Sequence, residues 1–204
     1  MHHCNGSIPK WWTQFKQQKG PTWEAFTQIL PDEIALQEVH CSMTNMVATQ
    51  VAMESALNML TEWEYKQRTQ SGEHLPEDWI GRNSWTVCIN PFSVGGGVTS
   101  RASTAYAHRK KLHRRIYRSI GPSGKPRDSP KSSWQPEGRY IFVEACGAGE
   151  QDDLIIGYIP NTGSAEARMA EFKAVLADIT RLEKWWLRTH PERRCHRWVD
   201  ANYS

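Results

Sequence analysis

The sequence predicts a mixed α/β fold, with hairpin-paired strands packed against helices, and three features carry this. Residues 33–38 form a short, largely apolar run after a Pro31-Asp32 turn, the pattern of a buried strand with polar residues at its C-terminal end. Residues 139–145 and 153–159 are two apolar runs joined by a turn-rich link, the pattern of a hairpin. After Ser164, a residue type suited to capping a helix, Met169, Phe172, Leu176, Ile179, Leu182 and Trp186 keep an apolar stripe at helical spacing. Strands and helices that alternate in this way bury their apolar faces as layers of helix on sheet.

The remaining elements follow in chain order. Trp11, Trp12 and Phe15 form an apolar cluster that Gly20-Pro21 interrupts, and Trp23, Phe26 and Leu30 resume at helical spacing. Residues 43–64 carry Met46, Val47, Met53, Leu57 and Leu60 in a helical pattern, and residues 66–83 read as a polar loop. Trp85 to Ile89 reads as a strand, and the glycine run at residues 95–97 leads into another. Residues 119–138 hold four prolines, three glycines and five serines, the composition of a long loop. Pro191 ends the last helix, and Trp198-Val199-Asp200 reads as the start of a further strand.

Composition bounds the function classes. A hydrophobic fraction of 39% with 23% charged residues suits a globular chain, and the length suits one domain over residues 1–204. No apolar run reaches the length of a membrane span, and the N-terminus lacks a signal-peptide core, so secretion is not expected. The five cysteines are widely spaced with no CxxC pair, which argues against a disulfide framework or a zinc cage. A net charge of +3 says little about partners, but residues 108–118, His-Arg-Lys-Lys-Leu-His-Arg-Arg-Ile-Tyr-Arg, concentrate the positive charge. Arg109, Lys110, Lys111, Arg114 and Arg115 are candidate phosphate contacts, and a plain solvated face is the competing reading.

Polar clusters sit at three strand ends: Gln37-Glu38, Tyr158 with Asn161, and Asp200 with Asn202. Carboxylate and amide oxygens gathered at a strand end suit a hard divalent cation, which can stabilise charge on a phosphate and activate water. Taken singly, each cluster is as readily a solvated strand end or a turn.

Their order resembles the endonuclease/exonuclease/phosphatase superfamily: Leu-Gln-Glu at residues 36–38, Tyr-Ile-Pro-Asn at 158–161, a helix, then Asp-Ala-Asn at 200–202. Within it the chain looks most like the branch of apurinic/apyrimidinic endonucleases and the endonuclease domains of non-LTR retrotransposons. The resemblance implies a four-layer α/β sandwich with mixed, largely antiparallel sheets flanked by helices. It implies Glu38 as a metal ligand, with Asn5 near the metal, and Mg²⁺ or Mn²⁺ as the cofactor. Tyr158 and Asn161 would lie by the scissile phosphate. Asp200 would orient or deprotonate the attacking water, and Asn202 would hold the phosphate. DNA is the partner so implied, cut by nicking, with a monomeric protein and a nuclear location following from the substrate.

The chain departs from the pattern in places. His3 stands where the family has Asn, and Val199 where it has a glycine before the catalytic aspartate. A Ser-Asp-His segment expected near the family's C-terminus has no counterpart, so the domain reads as one whose C-terminal part is missing and whose activity is impaired. The alternative is a non-enzymatic nucleic-acid-binding remnant that uses the basic run. A small phosphoester substrate is a third reading, which the Tyr-x-Pro-Asn segment disfavours.

Overall fold

A computed structural model describes residues 2–3, 14–37, 39, 41, 45–91, 103–127, 139–159 and 164–200. Its strands are β1 (His2–His3), β2 (Glu33–Gln37), β3 (Trp85–Asn90), β4 (Thr104–Arg109), β5 (Arg114–Tyr117), β6 (Ser119–Ile120), β7 (Pro126–Arg127), β8 (Tyr140–Ala145), β9 (Asp152–Tyr158) and β10 (Arg194–Asp200). The helices are α1 (Pro21–Ile29), α2 (Met46–Gln70), α3 (Trp79–Asn83) and α4 (Ala165–Thr189). One sheet has the order β1-β2-β4-β3, a second β10-β9-β8-β5, and β6 and β7 form a small ladder of their own. Pairing is antiparallel except for β1 with β2 and β9 with β10.

Side-chain alternation along the strands makes four layers. Ile34 and Leu36 of β2, Ala105 and Ala107 of β4, and Trp85, Val87 and Ile89 of β3 pack with Trp23, Met53, Leu57 and Leu60 of α1 and α2. The opposite face of that sheet, through Ala35 and Tyr106, meets Ile141, Val143, Leu154 and Ile156 of the second sheet. The second sheet's other face, through Tyr140, Phe142 and Ile155, is covered by Val175, Ile179, Leu182 and Trp186 of α4. The architecture is thus an α/β/β/α sandwich with antiparallel-dominated sheets, as the sequence led one to expect.

Local chemistry explains the element ends. Gly20 takes φ 86°, a backbone open to glycine, and Pro21 follows at the first helical position of α1. Ser164 Oγ accepts a hydrogen bond from Ala167 N at 3.2 Å and caps α4. Gly124, at φ 91°, lies so close to α4 that a Cβ there would sit 2.4 Å from the Arg181 carbonyl oxygen. No helix among the described residues is long and apolar enough to cross a membrane.

Several elements differ from expectation. The second helix runs six residues past Glu64, and α3 forms in the stretch that reads as a loop. The reason is polar: Arg68 pairs with Glu64 one turn back at 3.0 Å and with Glu73 at 3.0 Å, contacts that an apolar period does not record. On α4 the buried stripe passes through Val175, and Leu176 is exposed. Trp198-Val199-Asp200 ends a strand rather than starting one, because β10 begins at Arg194. The glycine run at residues 95–97 lies outside the described residues.

An ion pair locks the first sheet to its helices. Arg109, at the end of β4, is 1% exposed; its guanidinium lies 2.7 Å from Glu64 of α2, 3.3 Å from Asp32 and 5.4 Å from the Trp85 ring. Removing one partner leaves a charge in the interior, so Glu64→Ala is expected to cost about 3–5 kcal/mol. Chemical denaturation with a two-state fit measures that loss.

His108 adds a pH dependence. It is buried against the Tyr106 ring, and its Nδ1 lies 3.0 Å from the Arg109 carbonyl. Burial holds the imidazole below its ordinary value, and nearby Arg114 pushes in the same direction. The unfolded chain therefore binds this proton first as pH falls, so the contribution is complete above about pH 6.5 and is lost below it. The fall in melting temperature below that pH should be shallower for His108→Phe.

Candidate functional site

Strand polarity places three polar ends together. In parallel pairing, Asp200 of β10 stands opposite Tyr158 of β9, and Ile159 N donates to the Asp200 carbonyl at 2.9 Å. Tyr158 shares the strand face of Leu154 and Ile156, which line the space between the sheets. Asp200 shares that face through its register with Tyr158. Tyr158 is buried and Asp200 half-buried.

Gln37 brings the first sheet to the same place. It follows Glu33 and Ala35 on the inward face of β2, and its side chain is fully buried. Its Nε2 donates to the Gly157 carbonyl of β9 at 2.7 Å and to the Trp198 carbonyl of β10 at 3.3 Å. One carboxamide therefore spans the sandwich and ties three strand ends into one rim. The other atom of that carboxamide, Oε1, is buried with no hydrogen-bond partner among the described residues.

Two further side chains shape this rim, and neither stands out in the sequence. Ser103 Oγ donates toward the carbonyls of Val39 and Cys41 at 3.1 Å and accepts from Cys41 N at 3.1 Å. Val39 N donates to the Ser103 carbonyl at 3.0 Å, so the chain just past β2 is pinned to the start of β4. Asn90 ends β3 and is buried; its Nδ2 donates to the Tyr140 carbonyl at 2.7 Å and the Arg118 carbonyl at 3.1 Å. The one available signal was a polar residue directly after an apolar strand and before Pro91.

Asn5, Glu38, Asn161 and Asn202 lie outside the described residues. Of the expected site residues, Tyr158 and Asp200 are described, and the fold sets them side by side.

The basic run lies elsewhere. Arg109 leaves the set of phosphate contacts, since its guanidinium is buried against Glu64. Arg114 is also largely committed, to Glu33 at 3.4 Å and to Glu150. Lys111 pairs with Asp32 at 2.7 Å, and Lys110 and Arg115 are exposed. The pairs Glu33↔His108 and Arg114↔Ala145 put the run at the end of both sheets opposite Gln37, Tyr158 and Asp200. A ligand seated at the rim would not meet these cations directly.

No family model matches the sequence, and no curated protein matches it either. Solved structures do. TDP2 from Caenorhabditis elegans superposes with a TM-score of 0.54 at 14% identity, over 100% of this chain and 46% of that one. The AP endonuclease LMAP from Leishmania major gives 0.45 at 13% identity, over 85% of this chain and 46% of that one. The human nocturnin catalytic domain gives 0.47 at 13% identity, over 95% and 58%. The chain thus spans about half the length of the first two. The chain shares its fold with TDP2.

The Gln37 bridge can be tested by charge. Gln37→Leu removes two donated bonds from buried carbonyls and is expected to cost about 1–3 kcal/mol. Gln37→Glu should cost more at pH 8, where a carboxylate faces two carbonyl oxygens, and should recover toward pH 5 as the protonated acid donates again. Melting temperatures of both variants across that range decide it, and equal pH profiles would remove the bridging role.

Proposed function

We propose that this chain carries the catalytic strand ends of a divalent-metal-dependent endonuclease that hydrolyses DNA phosphodiester bonds. The observation that supports it most is the convergence of Gln37, Tyr158 and Asp200 on one rim between two sheets. The clusters they belong to are far apart in sequence, and a phosphodiesterase needs acid, hydroxyl and amide groups around one phosphate.

The donor chemistry fits a hard cation. The rim offers a carboxylate at Asp200, a phenol at Tyr158 and the buried Oε1 of Gln37, all oxygen. In this reading Glu38 and Asn5 hold the Mg²⁺ or Mn²⁺. When bound, such an ion lowers the charge on a phosphate and the pKa of water. The chain's own residues do the rest. Asp200 accepts a hydrogen bond from the attacking water and orients it. Tyr158, buried at its strand end, donates toward a phosphate oxygen. Asn161 and Asn202, which match the superfamily's pattern, hold the remaining oxygens, so charge developing on the phosphoryl oxygens meets fixed donors. The Tyr-Ile-Pro-Asn segment favours the apurinic/apyrimidinic-endonuclease and retrotransposon branch, and hence nicking of one DNA strand.

Supercoiled plasmid tests this. The chain should convert it to the open circle with Mg²⁺ or Mn²⁺, and chelation should stop the reaction. Asp200→Ala should slow nicking by roughly 10²- to 10⁴-fold with an unchanged circular dichroism spectrum. A folded protein that leaves the plasmid intact, or an Asp200→Ala variant that nicks as fast as the parent, overturns the proposal.

A further inference from the structure

Helix α4 buries one face and opens the other. Val175, Ile179, Leu182 and Trp186 pack on the second sheet. The opposite face carries Lys173, and Lys184 and Arg188 follow it by eleven and fifteen residues, about three and four helical turns on. All three are exposed, and none has a carboxylate partner among the described residues. The acids beside this row are engaged: Glu171 with Arg139 at 2.6 Å, Asp178 with Arg181, and Glu183 with Arg197. The row is therefore uncompensated positive charge, about 22 Å long at a rise of 1.5 Å per residue.

Two further features make the row a surface. A shallow groove of about 440 Å³ runs along it, lined by Lys173, Leu176, Ala177, Thr180, Arg181 and Lys184. Among the described residues that lining holds three cations, one hydroxyl and no carboxylate. Beside the groove sits the turn between β6 and β7. Gly124 lies against the Arg181 carbonyl and the Trp185 Cβ, so the turn is seated on α4, and the exposed Lys125 and Arg127 just after it widen the basic face. None of these residues belongs to the basic run at 108–118, where Arg109 and Arg114 are committed to carboxylates.

We propose that the outer face of α4, with the β6–β7 turn, binds the phosphate backbone of duplex DNA on the flank of the sandwich, away from the rim. The inference rests on the proposed function for the class of partner only, since it involves no cleavage. Charge complementarity carries it. One DNA strand presents a phosphate about every 3.4 Å of axis, so about six phosphates run the length of the row. Single strands are held through bases stacked on aromatic side chains. Here Lys, Arg, Leu, Ala and Thr line the groove, and Trp185 is half-buried beside Gly124, so a duplex is the better fit. A helix that lies on a membrane sinks an apolar face into the lipid. That face of α4 is already spent on the second sheet, leaving Leu176 at 38% and Leu187 at 37% exposure. Contacts of this kind position DNA without reading its sequence.

Fluorescence anisotropy of a labelled duplex of about 20 base pairs tests this, with the full chain in EDTA and salt from roughly 50 to 200 mM. Chelation separates binding from nicking. Lys173→Ala, Lys184→Ala and Arg188→Ala combined should weaken binding about tenfold or more at about 100 mM salt. The slope of log affinity against log salt should become shallower by about 2.7, at roughly 0.9 per phosphate contact. Lys110→Ala with Arg115→Ala, on the basic run, should weaken it less. All five positions are exposed, and circular dichroism checks that the fold is kept. A triple variant with the parent's affinity and slope overturns the proposal, as does an equal or larger loss from the Lys110 and Arg115 changes. Tighter binding of a thymidine oligonucleotide of the same length than of the duplex also overturns it. So does a triple variant that loses binding to phosphatidylserine vesicles while holding the duplex unchanged, which assigns the face to anionic lipid. A chain that leaves plasmid intact, yet loses duplex binding with the triple change, keeps this site and removes the proposed endonuclease.

Discussion

The carboxamide of Gln37 is the constraint on which the rim depends. Two sheets packed face to face through Ala35, Tyr106, Ile141, Val143, Leu154 and Ile156 meet along an apolar surface, and apolar contact is non-directional. Such a contact sets a distance but not an offset along the strands. A hydrogen bond at 2.7 Å from Gln37 to Gly157 sets the offset, because it tolerates only a fraction of an ångström of slip. The second bond, to Trp198, extends the constraint to β10. This side chain thus holds the end of β2 level with the ends of β9 and β10.

Level strand ends also require that β10 pair with β9 in the right register, and that is secured at the other end of the strands. Asp153 is fully buried; its Oδ1 accepts from Ala145 N at 2.9 Å and its Oδ2 from Trp186 Nε1 at 2.6 Å and Arg193 Nε at 2.6 Å. Arg193 in turn lies 5.9 Å from the Trp186 ring, and its Nη2 donates to the Ala145 carbonyl at 2.5 Å. The chain leaves α4 at Thr189, is held by Arg193, and enters β10 one residue later. From that anchor the register Arg194↔Asp152 runs without a bulge to Asp200↔Tyr158. A buried carboxylate with all its neighbours engaged costs little where it stands and much if displaced, so it acts as a register pin rather than as a reactive group.

What could be read from the sequence follows from which forces leave a periodic trace. The buried strands Glu33–Gln37, Tyr140–Ala145 and Asp152–Tyr158 are legible because burial selects apolar residues in short runs, and the Ser164 cap is legible because one hydroxyl satisfies one orphan amide. The extension of α2 to Gln70 is not legible, since its last two turns are held by Arg68 with Glu64 and Glu73 on a polar surface. The basic run misleads for the same reason. Composition counts Arg109 and Arg114 as positive charge, while only tertiary contact reveals Glu64, Glu33 and Glu150 beside them. Tyr158 and Asp200 were legible as residue types, but their meeting in register was not, because it depends on where β10 begins.

The two ends of the sandwich are built from different polar groups. At the end with Arg109 and Arg114, buried charges face opposite charges within hydrogen-bond range: Glu64, Asp32, Glu33 and Glu150. Among the described residues, the cations left there for a phosphate are surface ones such as Lys110 and Arg115, whose contacts position nucleic acid without reading its sequence. At the end with Gln37, the amide donates twice, and among the described residues its buried oxygen has no hydrogen-bond partner. An unsatisfied buried acceptor costs about 1–3 kcal/mol. An acceptor beside a carboxylate and a phenol is suited to a cation or to an ordered water. Paired charge at one end builds the frame; at the other, the proposed function would give the buried amide oxygen its partner.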